Sequence, residues 1–253
     1  ERDEQYYISL DTFILYSIIF RRGWILGKKL SFSDLGAPHL CSSCFSSPSP
    51  QQGQLLTALL LRSCPSTTRQ TMPCMILTGH PCAGKTTLAH KIRDRALIHS
   101  SERINEVIII NESTARPDCH SIAACCETSL AEKKTRAALK SAFDRAVASH
   151  PTDTTLIILD STNYIKGFRY ELFCVSKAAK TSHCVVWCLN DVDVVKEWNQ
   201  KRSKQQSDNE DPEQQQQPLD YYSDELLDAL IKRYEPPDER NRWDKPLYQI
   251  DLR

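Results

Sequence analysis

Glycine is scarce in this chain, 7 residues in 253, and neither sign of charge predominates, because Lys and Arg (32) balance Asp and Glu (32). That balance excludes a whole-molecule field pulling the chain onto nucleic acid or an anionic membrane, while leaving room for a local basic patch. Long hydrophobic runs are missing as well. The most apolar amino-terminal stretch, Tyr6 to Phe20, is interrupted by Asp11, and what remains from Thr12 to Phe20 is well short of the roughly 20 residues that span hydrocarbon. Glu1, Asp3 and Glu4 occupy the end that a signal peptide keeps positive. Arg21 and Arg22 behind the run leave surface anchoring to a membrane as a minor alternative.

Cysteine, by contrast, is plentiful at 11 residues. Cys74, Cys174, Cys184 and Cys188 sit inside apolar runs, where a reduced thiol packs as a small core residue, so a reducing compartment fits better than a disulfide framework. Cys41 and Cys44 beside His39 lack the second ligand pair of a structural zinc site, with only Cys64 nearby. Composition shifts to Ser, Pro, Cys, Gln and Thr between Ser31 and Thr71, which reads as a disordered extension over residues 1–71. Met72-Pro73 stands immediately before the first convincing strand, where a natural start is expected. A content of 40% hydrophobic residues lets residues 72–253 bury one large core.

That first strand, Pro73 to Thr78, runs into Gly79-His80-Pro81-Cys82-Ala83-Gly84-Lys85-Thr86-Thr87, which carries the spacing G-x-x-x-x-G-K-T. The pattern is a phosphate-binding loop. Gly79 and Gly84 permit the tight turn that aims successive N–H groups into one concavity. Lys85 supplies a mobile charge for the β- and γ-phosphates, and Thr86 opens a helix while offering a hydroxyl to magnesium. The alternative is a glycine-bearing turn that binds nothing; with 7 glycines in the chain, chance gives that spacing poorly. Leu88, Ala89, Ile92, Ala96 and Leu97 recur behind the loop at helical spacing.

A second β-branched strand, Glu106 to Ile110, ends at Asn111, Glu112 and Ser113, polar residues that either face the ligand crevice of a parallel sheet or form a solvated loop. Glu127 to His150 reads as a long helix, with Leu130, Ala137, Ala138, Ala142, Phe143, Ala146 and Val147 on one side and Glu132, Lys133, Lys134, Arg136 and Lys140 largely elsewhere, as a solvated face. Thr155 to Leu159 is continuously apolar, as in a central parallel strand, and ends in Asp160. A carboxylate at that strand end can hold magnesium opposite Thr86, as in a Walker B motif. Ser161 to Phe173 follows, rich in functional groups, and includes Asn163 as a nucleotide-responsive candidate; Tyr170 and Phe173 also fit a core. Cys184 to Leu189 is a fourth strand, and a helix from Asp191 carries Arg202, a candidate to close over the phosphates. Residues 203–218 read as a mobile lid insertion. A helix from Tyr221 to Tyr234 stops at Pro236-Pro237, Arg242 follows as a residue that reaches the nucleotide or caps a helix, and Leu247 to Ile250 is a fifth strand. The fold class is α/β, a P-loop kinase-like parallel sheet flanked by helices.

The segments GHPCAGKTT, LILDSTNYIKGFRYELFC and RYEPPDERNRWDKPL together resemble the chromatin-associated, Elongator-linked ATPases first known for killer-toxin insensitivity, over roughly Met72 to Asp251. That family is similar to the kinase that phosphorylates seryl-tRNA for selenocysteine synthesis. The resemblance implies binding of ATP and magnesium, tRNA-stimulated hydrolysis, the Elongator complex and tRNA as partners in wobble-uridine modification, and a cytoplasmic and nuclear location without a membrane. It places phosphate contacts at Lys85 and Thr86, magnesium at Thr86 and Asp160, and nucleotide-responsive groups from Asn163 to Arg169. Residues 1–71 have no counterpart in that family, and Arg253 falls where its tRNA-contacting carboxyl-terminal domain is expected to begin. Three function classes compete: an ATPase switch using Lys85, Asp160 and Arg202, a phosphotransferase with an acceptor hydroxyl beside Asp160, and a nucleotide-bound adaptor without turnover.

Overall fold

Strand β2, Pro73–Thr78, lies inside the sheet because its side chains from Cys74 onward are apolar or buried on both faces. The computed structural model describes residues 29–30, 73–99, 104–150, 154–207 and 221–252. By its contacts the chain divides into Glu1–Leu35 with Thr71–Arg253, and Gly36–Gln70, the second lying outside the described residues. In chain order the elements are β1 (Lys29–Leu30), β2, α1 (Lys85–His99), β3 (Glu106–Ile110), α2 (Glu112–Ala115), α3 (Ser129–Ser149), β4 (Thr155–Asp160), α4 (Lys166–Ala178), β5 (Ser182–Leu189), α5 (Val192–Ser207), α6 (Asp224–Lys232) and β6 (Leu247–Asp251). Every described strand pair is parallel, in the order β1-β6-β5-β2-β4-β3. This is a P-loop kinase-like parallel sheet flanked by helices.

Alternation along the strands divides the core in two. Met75, Leu77, Leu156, Ile158, Cys184 and Val186 pack on Leu88, Ile92 and Ala96 of α1 and on Leu227 and Leu230 of α6. Cys74, Ile76, Ile157, Leu159 and Val185 face the other way, onto Leu139 and Phe143 of α3 and Phe168 and Leu172 of α4. Local chemistry starts the helices: Thr128 accepts from the Ala131 N–H at α3, and Ser223 from the Leu226 N–H at α6. Helix α4 has no side-chain cap of its own. Its Lys166 N–H instead donates to the Glu235 carboxylate, a cap supplied from far along the chain.

The five expected strands form. The sixth, β1, falls within residues 1–71, whose remainder lies outside the described residues, as do the Cys41–Cys44 pair and residues 208–218 of the expected lid; residues 203–207 end α5. Four side chains depart from the expected pattern. Glu132, assigned to the solvated face of its helix, is buried, while Leu97, Leu130 and Cys174 are exposed. Tyr170 is exposed as well, and Phe173 is buried. Among the described residues no helix is long and apolar enough to cross a membrane.

Candidate active site

Register decides which strand ends meet. Leu77 pairs with Asp160, and Thr78 with Trp187, so the loop from Gly79 to Lys85 emerges between Asp160 on β4 and Cys188 on β5. Gly79 has φ +153°, and a Cβ there would stand 2.6 Å from the Cys188 carbonyl oxygen, a distance no side chain tolerates. Gly84, at φ +80°, turns the chain into α1 with Leu252 and Trp198 against it. Cys82 takes φ +56°, completing the left-handed points that curl the loop. The Gly79 N–H donates to the Thr162 carbonyl at 3.3 Å, tying the loop to the segment behind β4.

Lys85 is 8% exposed and folds back on the loop, donating Nζ to the Gly79 carbonyl at 3.2 Å and to the His80 carbonyl. Burial draws its ammonium below the ordinary lysine range, opposed by Cys188, Asp160, Glu112 and Cys82 around it. Burial likewise raises the Asp160 carboxyl, against the Thr86 hydrogen bond and the Lys85 charge. Asp160 Oδ2 is buried without a hydrogen-bond partner, and Thr86 is its bonded neighbour. An orphaned carboxylate oxygen beside the first hydroxyl of α1 fits a magnesium ion that completes its shell with phosphate and water. Among the described residues no group of three or more His, Cys, Asp or Glu gathers as a metal site.

The rest of the loop is packed from behind. Pro81, Cys82 and Ala83 are buried, Thr86 and Thr87 are exposed, and Cys82 Sγ donates to Asn199 Oδ1 of α5. His80 packs against Tyr234 in a tilted arrangement, ring centroids 4.7 Å apart, and Tyr234 Oη meets Thr78 Oγ1 at 3.1 Å. Asn163 has φ +43° and donates Nδ2 to the Leu77 carbonyl at 2.6 Å, which leaves its buried Oδ1 without a partner. Arg202 is exposed one helical turn beyond Trp198, which packs by Gly84, and its charge acts on the buried Tyr222. Arg242 is not brought to the loop. Its neighbour Trp243 receives a hydrogen bond at its carbonyl from His183, near the start of β5, whereas the loop follows the end of β2. The chain from Tyr234 runs down the sheet to begin β6, and it carries Arg242 with it.

Three charged side chains are buried here, of which the sequence placed Glu112 at the crevice or in a solvated loop, Arg169 among the nucleotide-responsive groups, and Glu132 on a solvated face. Glu112, two residues past β3, is buried and accepts from Ser161 Oγ at 2.6 Å, so it stands beside Asp160. Its place at a strand end was the signal. Glu132 accepts from Tyr164 Oη at 2.7 Å and pairs with Arg233 at 2.8 Å; burial works to raise its carboxyl, yet these contacts hold it below the ordinary range. Arg169 is wholly buried, bridging the Asn163 and Glu235 carbonyls. Glu112, Glu132, Ser161, Asn163 and Tyr164 line a cleft of about 20 Å³ on the β3 side of the loop.

The family described as chromatin associated protein KTI12 matches residues 72–253. The chain belongs to the KTI12 family. A KTI12 homolog of Danio rerio is 38% identical over 179 residues, covering 71% of this chain and 56% of the relative. The Saccharomyces cerevisiae KTI12 is 35% identical over 184 residues, covering 71% of this chain and 51% of the relative. The chain thus spans about half the length of the curated relatives it matches. The crystal structure of Chaetomium thermophilum Kti12 in complex with ADP-AlF3 has a TM-score of 0.56 and 30% identity, over 71% of this chain and 89% of that one. The phosphate loop and the Asp160 strand both lie inside the part shared with the KTI12 family.

Proposed function

We propose that this chain binds ATP with magnesium and hydrolyses it, acting as a nucleotide-dependent regulator of the Elongator complex in tRNA wobble-uridine modification, in the cytoplasm and nucleus. The observation that carries the nucleotide chemistry is the orphaned Asp160 carboxylate oxygen beside Thr86, one strand from the loop that Lys85 closes. The bound ADP-AlF3 of the Chaetomium relative supports hydrolysis, and family membership together with the motif resemblance supports Elongator and tRNA as partners.

Hydrolysis asks little covalent chemistry of the protein; positioning and charge stabilisation suffice. The loop N–H groups cradle the phosphates, and Lys85 shifts from its own loop's carbonyls to the β- and γ-oxygens. Thr86 and Asp160 would hold magnesium, which neutralises charge on the same oxygens when bound. Arg202 approaches from α5 to complete the positive surround. A phosphotransferase would use the same nucleotide site with an acceptor hydroxyl seated beside Asp160, and phosphoryl transfer to an added acceptor distinguishes it from an ATPase.

The test is phosphate release from magnesium-ATP by the full chain, with and without bulk tRNA, beside Lys85→Ala and Asp160→Ala. Turnover abolished by both substitutions and raised by tRNA is the expected result. Stoichiometric transfer to an added hydroxyl compound would replace the ATPase reading with a kinase, and tight ATP binding without turnover would replace it with an adaptor.

A further inference from the structure

Two buried acceptors line the cleft on the β3 side, and the ATPase reading leaves both without a task. Glu112 is the first. It is 8% exposed, sits on the short α2 that Asn111 caps, and its Oε1 accepts from Ser161, the residue after Asp160. The register explains this placement: Ile110 pairs with Leu159, so the two chains leave the sheet side by side and Glu112 meets Ser161. Asn163 is the second, at 2% exposure. Its amide orientation is fixed, because Nδ2 must face the Leu77 carbonyl, and Oδ1 is therefore the atom left over.

A water that attacks phosphorus has to donate both hydrogens away from the phosphate and present a lone pair toward it. Two acceptors and no competing donor of their own is the arrangement that selects such an orientation. The cleft has room for a water. We infer that Glu112, with Asn163 Oδ1, holds the nucleophilic water on the β3 side of the γ-phosphate, and that Ser161 is a positioning residue that pins the Glu112 carboxylate. This rests on the ATPase reading and names the residues that complete it. The water oxygen bonds to the γ-phosphorus as the bond to the β–γ bridging oxygen breaks, so that ATP4− and H2O give ADP3− and H2PO4−. Both hydrogens leave with the phosphate, and Glu112 ends the step as it began it.

The experiment uses the full chain, with Glu112→Gln, Glu112→Ala and Ser161→Ala measured against wild type for kcat, ATP affinity, thermal midpoint, and retention of ADP with fluoroaluminate. Loss of the water's acceptor lowers kcat about 100-fold in both Glu112 variants, the usual scale for a positioned group, and more modestly in Ser161→Ala. ATP affinity stays within about threefold, since the bound ground state does not use the water. Fluoroaluminate, which mimics the phosphoryl group only when the in-line water is held, no longer traps ADP in the Glu112 variants, although ADP itself still binds. Glu112→Gln keeps an oxygen for Ser161 and carries the test should Glu112→Ala fail to fold. Turnover retained in both Glu112 variants overturns the inference alone, as does a parallel fall of kcat and ATP affinity, which would mark Glu112 as a structural prop. A wild-type chain that binds ATP without turnover overturns the ATPase reading, and the inference with it.

Discussion

Arg169 Nε donates to Asp244 Oδ1 at 2.9 Å, and neither side chain has any exposure to solvent. The guanidinium also donates to the carbonyls of Asn163, Glu235 and Pro236, while the carboxylate accepts from the Asp238 N–H and from Asn241 Nδ2. One buried pair thereby fastens the segment behind β4, where the site candidate Asn163 lies, to the stretch that leads into β6. Removing one partner leaves the other charge in a dry interior, at a cost of about 3–5 kcal/mol. Asp244→Ala should therefore unfold at markedly lower urea, and Arg169→Met with Asp244→Leu should recover part of the loss because no charge remains stranded. Chemical denaturation of the three variants beside wild type checks this; a double variant less stable than Asp244→Ala would contradict it.

Gly79 is held by space as well as by dihedral angle. With a Cβ position 2.6 Å from the Cys188 carbonyl oxygen, a backbone atom that cannot swing aside, Gly79→Ala must displace either the loop or β5. The strained φ adds about 1–3 kcal/mol. Nucleotide affinity is expected to collapse while the circular dichroism of the sheet persists and the thermal midpoint drops only modestly, because the loop rather than the core takes up the movement. Calorimetric titration with ATP reads the first effect and a thermal melt the second.

The difference between these two positions shows what the sequence carried. Gly79, Lys85, Thr86 and Asp160 belong to local patterns, a loop and a strand end, whose meaning needs no knowledge of the rest of the chain. Strands β2 and β3 were legible to the residue for the same reason, since apolar β-branched runs bounded by polar turns leave few alternatives. The burial of Arg169 and Glu132 was not legible, because what buries a charged helix residue is its partners: Asp244 for one, Tyr164 and Arg233 for the other, all on other elements. Leu97, Leu130 and Cys174 erred the opposite way, apolar residues at helix positions that face water once the axis is fixed. Arg242 depends on the direction the chain takes after Pro236-Pro237, which no periodicity records. Strand β1, two residues long, has no period at all.

His183 makes stability depend on pH in a stated window. Burial draws its imidazole down to about 4 from an ordinary 6.5, against the opposing pull of the Trp243 carbonyl it bonds. The unfolded chain takes up this proton near pH 6.5 and the folded chain only near pH 4, so between those values the unfolded state binds more protons. The contribution is complete above pH 6.5 and declines as pH falls toward 4, by about 3 kcal/mol in all. His183→Gln, which keeps an N–H for the Trp243 carbonyl, should show a smaller fall in urea midpoint between pH 7 and pH 5 than wild type. Equal falls in the two proteins would remove His183 as the cause.

Asp160 should reveal itself through magnesium rather than through stability. Its buried carboxylate, with Oδ2 unpartnered, repels incoming phosphates when no cation intervenes and attracts them through magnesium when one does. Wild-type affinity for ATP is therefore expected to rise by roughly tenfold on adding magnesium, the scale of one charge-assisted contact of about 1.4 kcal/mol. Asp160→Asn removes both effects at once: without magnesium it should bind ATP at least as tightly as wild type, and magnesium should then add little. Titrations of both proteins in EDTA and in excess magnesium give the four affinities. A variant that still gains tenfold from magnesium would move the cation off Asp160 and leave it to Thr86 and the phosphates alone.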